Sequence, residues 1–518
     1  MKVDTITLEV ARNRLAGIAH DMGVVLRRTS YSPNIKERAD CSAAIFAPSG
    51  DMVAQAEHIP VHLGSMPASV EAVLELFGAD MQPGSQYAVN DPFFGGTHLN
   101  DLTLVRPIHA DGRLVGWAAN RAHHADVGGE APGSMPAHAT TVDQEGHRVP
   151  PMLCVRNGEW LPDFVDPFLA ATRTPDERLG DLSAQLGANE AAARRLTTLI
   201  GSEGRERYET VTTALLDYGE RRTRSALRVL PDGRFGFTDH MEWEGALVPI
   251  EVAVTIDGET LDADFTGTAA QIAGNINAVE AVTRSCLYFA VRVATDPSIP
   301  ANSGCYRTLS LRAPPGSLVN PEPPAAVAAG NVETAQRIAD VLLGALAQAA
   351  PDRVPAAGQG TMNNILIGND EFAYYETVAG GQGGRPDRPG QSGIHTGMTN
   401  TKNTPIESLT THYPFRLNRY RLRHHSGGAG RFPGGEGIER EIEFLEAATL
   451  SLMGERRIAQ PWGLAGGGPG ARGEDWLIRA GGSSEQLPGK CTLEVEAGDR
   501  LRVLTPGGGG WGEPDARV

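Results

Sequence analysis

Residues 90–129 read NDPFFGGTHLNDLTLVRPIHADGRLVGWAANRAHHADVGG, a stretch that predicts a β-hairpin with polar residues at its open end. The runs 102–105 and 114–118 favour β-strands, and Asp111-Gly112 between them favours a tight antiparallel turn. This pairing brings the start of the first strand beside the end of the second. The ionisable residues at those two ends then face each other: His98, Asp101, His123, His124 and Asp126.

Such a mixture of imidazoles and carboxylates suits a borderline divalent cation such as Zn or Mn. The alternative is an ordinary structural role for each residue, because Asn-Asp-Pro and Asp-Val-Gly-Gly are also common turn sequences. A single histidine is usually a surface residue or a hydrogen-bonded core residue. The convergence of five ionisable groups on one hairpin favours the metal site.

Residues upstream of the hairpin add further candidates. Asp40 stands at the start of a predicted strand over 41–46, where it either reaches the metal site or serves as a turn residue. A helix is predicted over 67–76. The segment before it contains three potential ligands whose spacing a metal site can use, namely Glu57, His58 and His62. An apolar Ile-Pro-Val segment separates the first two from the third, which favours a structural or substrate-gating loop.

The composition of the chain excludes several classes of binding partner and several cellular locations. The formal net charge of −17 over 518 residues argues against nucleic acid and against an anionic membrane surface as partners. No window approaches the length of an apolar membrane span, and the N-terminus lacks the apolar core of a signal peptide. The five cysteines form no Cys-x-x-Cys pair, so no thiolate zinc site is indicated. We therefore expect a cytoplasmic protein without a membrane partner.

The predicted fold class is α+β, a mixed multi-layer protein with antiparallel β-hairpins, a helical insertion and a β-rich C-terminal half. Residues 1–164 form the N-terminal α/β region with the metal-binding hairpin. Residues 165–232 are charged, alanine-rich and helically periodic, which predicts the helical insertion. In residues 233–518, apolar and polar residues alternate with period two in segments between glycine-rich loops, which predicts the β-rich region.

The glycine clusters do not form a nucleotide-binding motif. No Gly-x-x-x-x-Gly-Lys-Ser/Thr occurs, and Gly507, Gly509 and Gly512 match the dinucleotide pattern without a helix to follow it. A Gly-x-Ser-x-Gly nucleophile elbow is also missing from the sequence. If ATP takes part in the chemistry, we expect another polypeptide to bind it.

Long, compositionally unusual stretches run from about residue 24 to the end of the sequence. They include SPNIKERADCSAAIF, AQAEHIPVHLGSMP, NDPFFGGTHLNDLTLV, RAHHADVGG, GNVETAQRIAD, QSGIHTGMTNTKNTPIE and TPGGGGWGEP. These stretches resemble the hydantoinase B family, which includes the B half of ATP-dependent oxoprolinases and hydantoinases. Related subunits occur in acetone and acetophenone carboxylases. Cys41 and Asn100 depart from the residues that are common in the family, and both lie beside the predicted site.

The resemblance implies that two chains share the reaction, one binding the nucleotide and the other the metal. A hydantoinase A-type partner of the actin-like ATPase fold would carry ATP and Mg, in a hetero-oligomer of α2β2 or larger size. This chain would hold a divalent metal, Zn or Mn, through His98, Asp101 and His123, with Asp40 as a further candidate ligand. Chain length favours the hydrolase members of the family over the longer carboxylase subunits.

The mechanism that we expect is ATP-dependent hydrolysis of a cyclic amide such as hydantoin, 5-oxoproline or another lactam. The partner would phosphorylate the carbonyl oxygen, and this chain would hydrolyse the product with a metal-activated water. His124 or Asp126 would accept the proton of that water. Asp21 is a second candidate base, with a solvated helix residue as the alternative. Two other functions stay open: a subunit of an ATP-dependent ketone carboxylase, and a subunit whose metal only stabilises the fold.

Overall fold

The hairpin lies at the centre of a seven-stranded antiparallel sheet in the computed structural model, which describes residues 3–56, 59–78 and 81–514. The strand order is β2-β1-β5-β4-β3-β6-β7. The strands are β1 (Cys41–Phe46), β2 (Met52–Ala56), β3 (Gln86–Val89), β4 (Asp101–Ala110), β5 (Arg113–His123), β6 (Met152–Arg156) and β7 (Glu159–Trp160). The turn between β4 and β5 has positive φ angles of 50° at Asp111 and 71° at Gly112, as a type I′ hairpin turn requires.

Helices cover both faces of this sheet. They are α1 (Thr5–Thr29), α2 (Pro33–Lys36), α3 (His62–Phe77), α4 (Pro162–Ala171), α5 (Pro175–Glu203) and α6 (Arg205–Leu227). Apolar residues of α1, α5 and α6 share one core with β1, β2, β4 and β5, whereas α3 packs in a separate core with β3 and Trp117. The predicted helices between residues 165 and 232 are confirmed, and they pack on the first sheet. The division of the chain into three regions stays a prediction.

A second, four-stranded sheet follows, with the order β11-β10-β9-β8. Its strands are β8 (Gly233–Trp243), β9 (Ala246–Asp257), β10 (Thr260–Asp264) and β11 (Leu309–Arg312). Two helices, α7 (Glu280–Ala294) and α8 (Ala335–Ala349), contribute to one core with this sheet, and a π-helical turn over Gly330–Thr334 leads into α8. Almost every residue of α8 is buried, so this helix runs through the middle of the protein.

The C-terminal part contains two further sheets around one core. The first has the order β13-β12-β16-β19, with β12 (Asn364–Gly368), β13 (Ala373–Thr377), β16 (Ala448–Met453) and β19 (Lys490–Val495). The second has the order β14-β15-β20-β17-β18, with β14 (Phe415–Arg423), β15 (Gly437–Phe444), β17 (Glu474–Ile478), β18 (Ser484–Leu487) and β20 (Arg500–Leu504). A short helix, α9 (Ile406–His412), precedes β14. The predicted α+β class with a β-rich C-terminal half is confirmed.

The glycine-rich loops are places where backbones stack on one another without side chains between them. A Cβ on Gly508 would lie 2.0 Å from the carbonyl oxygen of Gln382, and a Cβ on Gly434 would lie 2.0 Å from the carbonyl oxygen of Gly508. Only glycine permits this approach. Among the described residues, none of the helices combines the length and the apolarity that crossing a lipid bilayer requires.

Candidate metal centre

The open end of the hairpin gathers three potential metal ligands. Asp101 and His123 are direct partners in the β4–β5 ladder, and His98 lies three residues before β4. The Asp101 carboxylate is 3.4 Å from Nδ1 of His98 and 3.3 Å from Nδ1 of His123. All three side chains are buried, and one potential ligand atom from each lies within 4.8 Å of the others. We refer to His98, Asp101 and His123 as the His–Asp cluster.

A third imidazole, that of His62, adjoins the cluster. Its Nε2 lies 3.1 Å from Oδ2 of Asp101, and its Nδ1 lies 2.8 Å from Oγ of Ser42. The sequence pattern assigned His62 to a loop before a helix over 67–76, but α3 already begins at His62. Arg121 donates to the hydroxyl and the carbonyl oxygen of Ser65, which anchors this additional first turn to the sheet. Glu57 and His58 lie outside the described residues.

Asp40 faces the same cavity as the cluster. The cavity has a volume of about 20 Å³, and its walls include Asp40, His62, Asp101, His123, Tyr375 and Thr401. We call it the cluster cavity. The carbonyl oxygen of Asp40 accepts a hydrogen bond of 3.1 Å from the backbone N–H of His123, so the start of β1 is attached to the end of β5. Asp40 is not within the mutual 4.8 Å distance that defines the cluster.

Electrostatics leaves His98 and Asp101 of the cluster in the protonation states that metal coordination requires. Burial lowers the pKa of His98 to about 3, so its imidazole is neutral at physiological pH. Burial opposes ionisation of Asp101, but the adjoining imidazoles and the hydrogen bonds from His123 and His62 outweigh it and hold the Asp101 pKa well below its usual value. A neutral imidazole and an ionised carboxylate are the forms that coordinate a metal.

Two nitrogen atoms of the cluster are left without hydrogen bonds. Nε2 of His98 and Nε2 of His123 are buried and have no partner among the described residues. A buried polar atom without a partner costs about 1–3 kcal/mol, so this arrangement needs a compensating ligand. The residues present therefore fit a divalent cation of the Zn or Mn type, and His98, Asp101 and His123 would hold it.

The structure does not bring His124 and Asp126 to the cluster cavity, so the geometry lends no support to the expectation that one of them accepts the proton of the water, and that role stays a prediction. His124 directly follows β5, whose last residue is His123, and its side chain contacts α5. Its Nε2 lies 2.9 Å from Oε1 of Gln185. The Asp126 carboxylate accepts four hydrogen bonds, from the backbone N–H groups of Gly128, Gly133 and Arg173 and from the Arg173 guanidinium.

Asp21 is also remote from the cluster. It lies on α1, where its partly exposed carboxylate pairs with Arg195 of α5. This ion pair belongs to the contact between the two helices, and Asp21 is not among the residues that line the cluster cavity. The geometry thus lends no support to Asp21 as a general base, and this assignment too stays a prediction.

The π-helical turn closes the cavity from the side of α8. Asn331 and Val332 line the cavity. The next residue, Glu333, is buried, and its Oε1 accepts hydrogen bonds from the backbone N–H of Met362 at 2.9 Å and from Nδ2 of Asn364 at 2.8 Å. Burial raises the pKa of Glu333 to about 8. The carboxyl group is therefore protonated in the folded protein near neutral pH.

The protonated Glu333 predicts a pH dependence of stability. Because its pKa is raised from 4.5 to about 8, the folded state retains a proton that the unfolded chain releases, and this contribution to stability is lost as the pH rises through that window. Glu333→Gln keeps the Oε1 acceptor and removes the titration. We expect urea unfolding between about pH 5 and pH 8 to show a smaller loss of stability for the variant than for the wild type. If the free energy of unfolding falls equally with pH in the wild type, Glu333→Gln and the surface control Glu371→Gln, Glu333 is not protonated in the folded state.

The chain belongs to the hydantoinase B/oxoprolinase family, because the family model for hydantoinase B/oxoprolinase matches residues 4–514. The resemblance that the sequence motifs indicated is thus confirmed. An uncharacterized protein of Methanocaldococcus jannaschii is 41% identical, over 99% of this chain and 92% of its own length. The 5-oxoprolinase 1 of Arabidopsis thaliana is 38% identical over 98% of this chain. The match covers only 42% of that relative, so the chain corresponds to about two fifths of the plant protein.

Two solved structures share the fold over 99% of this chain. The crystal structure of the ATP-dependent caprolactamase from Pseudomonas jessenii has a TM-score of 0.93 and 30% sequence identity, and the match covers 92% of that chain. The nucleotide-free structure of acetone carboxylase has a TM-score of 0.92 and 18% identity, with 76% of that chain covered. At this lower identity, the similarity to acetone carboxylase concerns the fold alone.

Proposed function

We propose that this chain is the metal-containing B-type subunit of an ATP-dependent amidohydrolase that acts on cyclic amides. The observation that carries the proposal is the buried His–Asp cluster, with its two imidazoles, its ionised carboxylate and two unpartnered nitrogen atoms. It occurs in a family that includes enzymes named 5-oxoprolinase, and the caprolactamase supports a lactam as the substrate. A hydantoinase A-type partner would bind ATP and Mg and phosphorylate the substrate, in a hetero-oligomer.

The residues of this chain have distinct parts in the proposal. His98, Asp101 and His123 would hold a Zn or Mn ion, and Asp40, which also lines the cluster cavity, is a further candidate ligand. When bound, such an ion polarises an oxygen atom and lowers the pKa of a water molecule towards neutrality. His62 and Thr97 orient Asp101, through contacts of 3.1 and 2.9 Å to its Oδ2. The buried position of the cluster excludes bulk water from the reaction.

Activity of the assembled complex tests this function. We expect the chain, co-expressed with an A-type partner, to convert lactams such as hydantoin, 5-oxoproline or caprolactam to the ring-opened acids when ATP is supplied. The reaction should not depend on bicarbonate, because ATP-dependent hydrolysis consumes ATP and water but adds no carboxyl group from bicarbonate. Product analysis by mass spectrometry, with and without ATP and bicarbonate, gives the result.

The same assay separates the alternatives. The fold that the chain shares with acetone carboxylase makes a ketone carboxylase subunit the second candidate. Turnover of acetone or acetophenone that requires bicarbonate, without lactam hydrolysis, would replace the proposed function by that one. A complex that hydrolyses lactams equally well after complete removal of the metal would leave the cluster with a purely structural role.

A further inference from the structure

Arg38 is a buried cation without a carboxylate partner. Its side chain is 0% exposed, and no carboxylate of the described residues lies within the 4.0 Å of an ion pair. The nearby Glu376 also feels the charge of Arg38, but it is paired with Arg440 at 2.7 Å, so two buried guanidinium groups share one carboxylate. Burying a charge is costly unless another charge compensates it. One positive charge of this group is therefore left without a carboxylate partner, which favours an anion nearby.

Aromatic stacking places this cation close to the His–Asp cluster. The Arg38 guanidinium lies 5.0 Å from the ring centroid of Tyr375, and the same ring stacks on His123 with a centroid distance of 4.4 Å. Nη1 of Arg38 donates to the carbonyl oxygen of Tyr375 at 2.8 Å. Tyr375 lines the cluster cavity, so the guanidinium lies directly behind its wall.

Three threonine hydroxyl groups lie at the cavity, and two of them contact Arg38. Thr377, Thr399 and Thr401 line the cluster cavity, and we refer to them as the threonine wall. Nη2 of Arg38 donates to Oγ1 of Thr377 at 2.8 Å and approaches Oγ1 of Thr401 at 3.5 Å. The backbone N–H of Lys402 donates to the carbonyl oxygen of Arg38 at 2.8 Å, which holds this loop against the arginine.

The three hydroxyl groups of the threonine wall have more protons than acceptors, which leaves a hydrogen-bond donor for a ligand. Each hydroxyl has one proton to donate. The wall contains two internal contacts, at 2.8 Å between the hydroxyls of Thr377 and Thr401 and at 3.5 Å between those of Thr399 and Thr401. These contacts use at most two of the three protons, and the described residues offer no other acceptor to these hydroxyls. At least one proton is therefore available to an acceptor in the cavity, and the charge of Arg38 favours a negative one.

We propose that the threonine wall binds a negatively charged oxygen atom of the molecule that the site processes, and that Arg38 supplies the compensating charge. The cavity volume of about 20 Å³ suits one oxygen atom, since a water molecule requires roughly 10–15 Å³ on the same scale. The anion would lie in the cavity that Asp101 and His123 also line. This inference rests on the proposed function, in which the oxygen belongs either to the phosphoryl group of an activated amide or to a substrate carboxylate.

Binding of inorganic phosphate to the purified chain tests the site, with Thr401→Val and Thr401→Ser as a matched pair. Valine keeps the shape of threonine and removes the hydroxyl, whereas serine keeps the hydroxyl. By isothermal titration calorimetry, we expect Thr401→Val to weaken phosphate binding at least about tenfold, as loss of a charge-assisted hydrogen bond does. We expect Thr401→Ser to bind within about threefold of the wild type. Circular dichroism confirms that both variants are folded.

Acetate in the same titration distinguishes the two sources of the anion. A site that takes phosphate but not acetate serves a phosphoryl group, and the reverse preference indicates a substrate carboxylate. Equal phosphate affinity in Thr401→Val and Thr401→Ser, or no binding of either anion to the folded wild type, would overturn the proposal. The result is independent of the lactam assay, because the binding experiment needs neither the partner nor turnover.

Discussion

Asp101→Asn is expected to abolish metal binding and ATP-dependent lactam hydrolysis. Asparagine has the same shape as aspartate but lacks the negative charge that the surrounding imidazoles stabilise. Mutation of a residue in the outer shell of a metal site already lowers the metal affinity by about 10–100-fold. Loss of a charged ligand should therefore lower the metal affinity by more than about 100-fold. Metal analysis of the purified variant by inductively coupled plasma mass spectrometry, beside circular dichroism, measures this effect.

Asp126→Asn is the matched control for this experiment. Asp126 is also buried within the same forty residues of the hairpin, but all of its hydrogen bonds are with Gly128, Gly133 and Arg173. The control should lose stability, because an amide cannot accept from the same four donors, and it should keep the metal content of the wild type. Stoichiometric metal in Asp101→Asn, or equal metal loss in both variants, would show that the cluster is not the metal site.

Arg456→Met should be among the most destabilising substitutions in the chain. Arg456 lies after β16 and contacts Asp239 of β8 and Asp340 of α8, each at 2.7 Å. Arg337 contacts the same two carboxylates at 3.3 and 3.2 Å, so the ion network joins the second sheet, α8 and the C-terminal sheets. Removing one partner of a buried ion pair costs about 3–5 kcal/mol. In Arg456→Met the two carboxylates keep Arg337 as a compensating cation, but at the longer distances and shared between them.

Urea unfolding at neutral pH measures this cost, and Arg195→Met provides the control. Arg195 makes its ion pair with Asp21 at the surface, where its side chain is 56% exposed, so the same substitution should cost less than about 1 kcal/mol there. Burial raises the pKa of Asp340 to about 7, so protonation of this carboxyl should reduce the effect of Arg456→Met at lower pH. A free energy of unfolding that falls equally in both variants would contradict the role of the network.

Local sequence predicted the centre of the site well. The period-two pattern and Asp111-Gly112 predicted the hairpin, and antiparallel pairing alone places Asp101 opposite His123. Local sequence did not show that His124, directly after β5, contacts Gln185 of α5 and does not line the cluster cavity. The observed strands are longer than predicted, because β4 and β5 continue through polar and alanine residues that pair with neighbouring strands.

The sequence by itself determined the fold class, the family, the hairpin and the three residues of the His–Asp cluster, because these depend on interactions between residues close in the chain or on long motifs. Only the tertiary structure brought together His62, Tyr375, Thr401 and Arg38 around the cluster cavity. These residues come from four distant segments, and their contacts depend on how α3, β13 and the loop after it pack against the first sheet. No local pattern encodes such contacts, because packing between elements decides them.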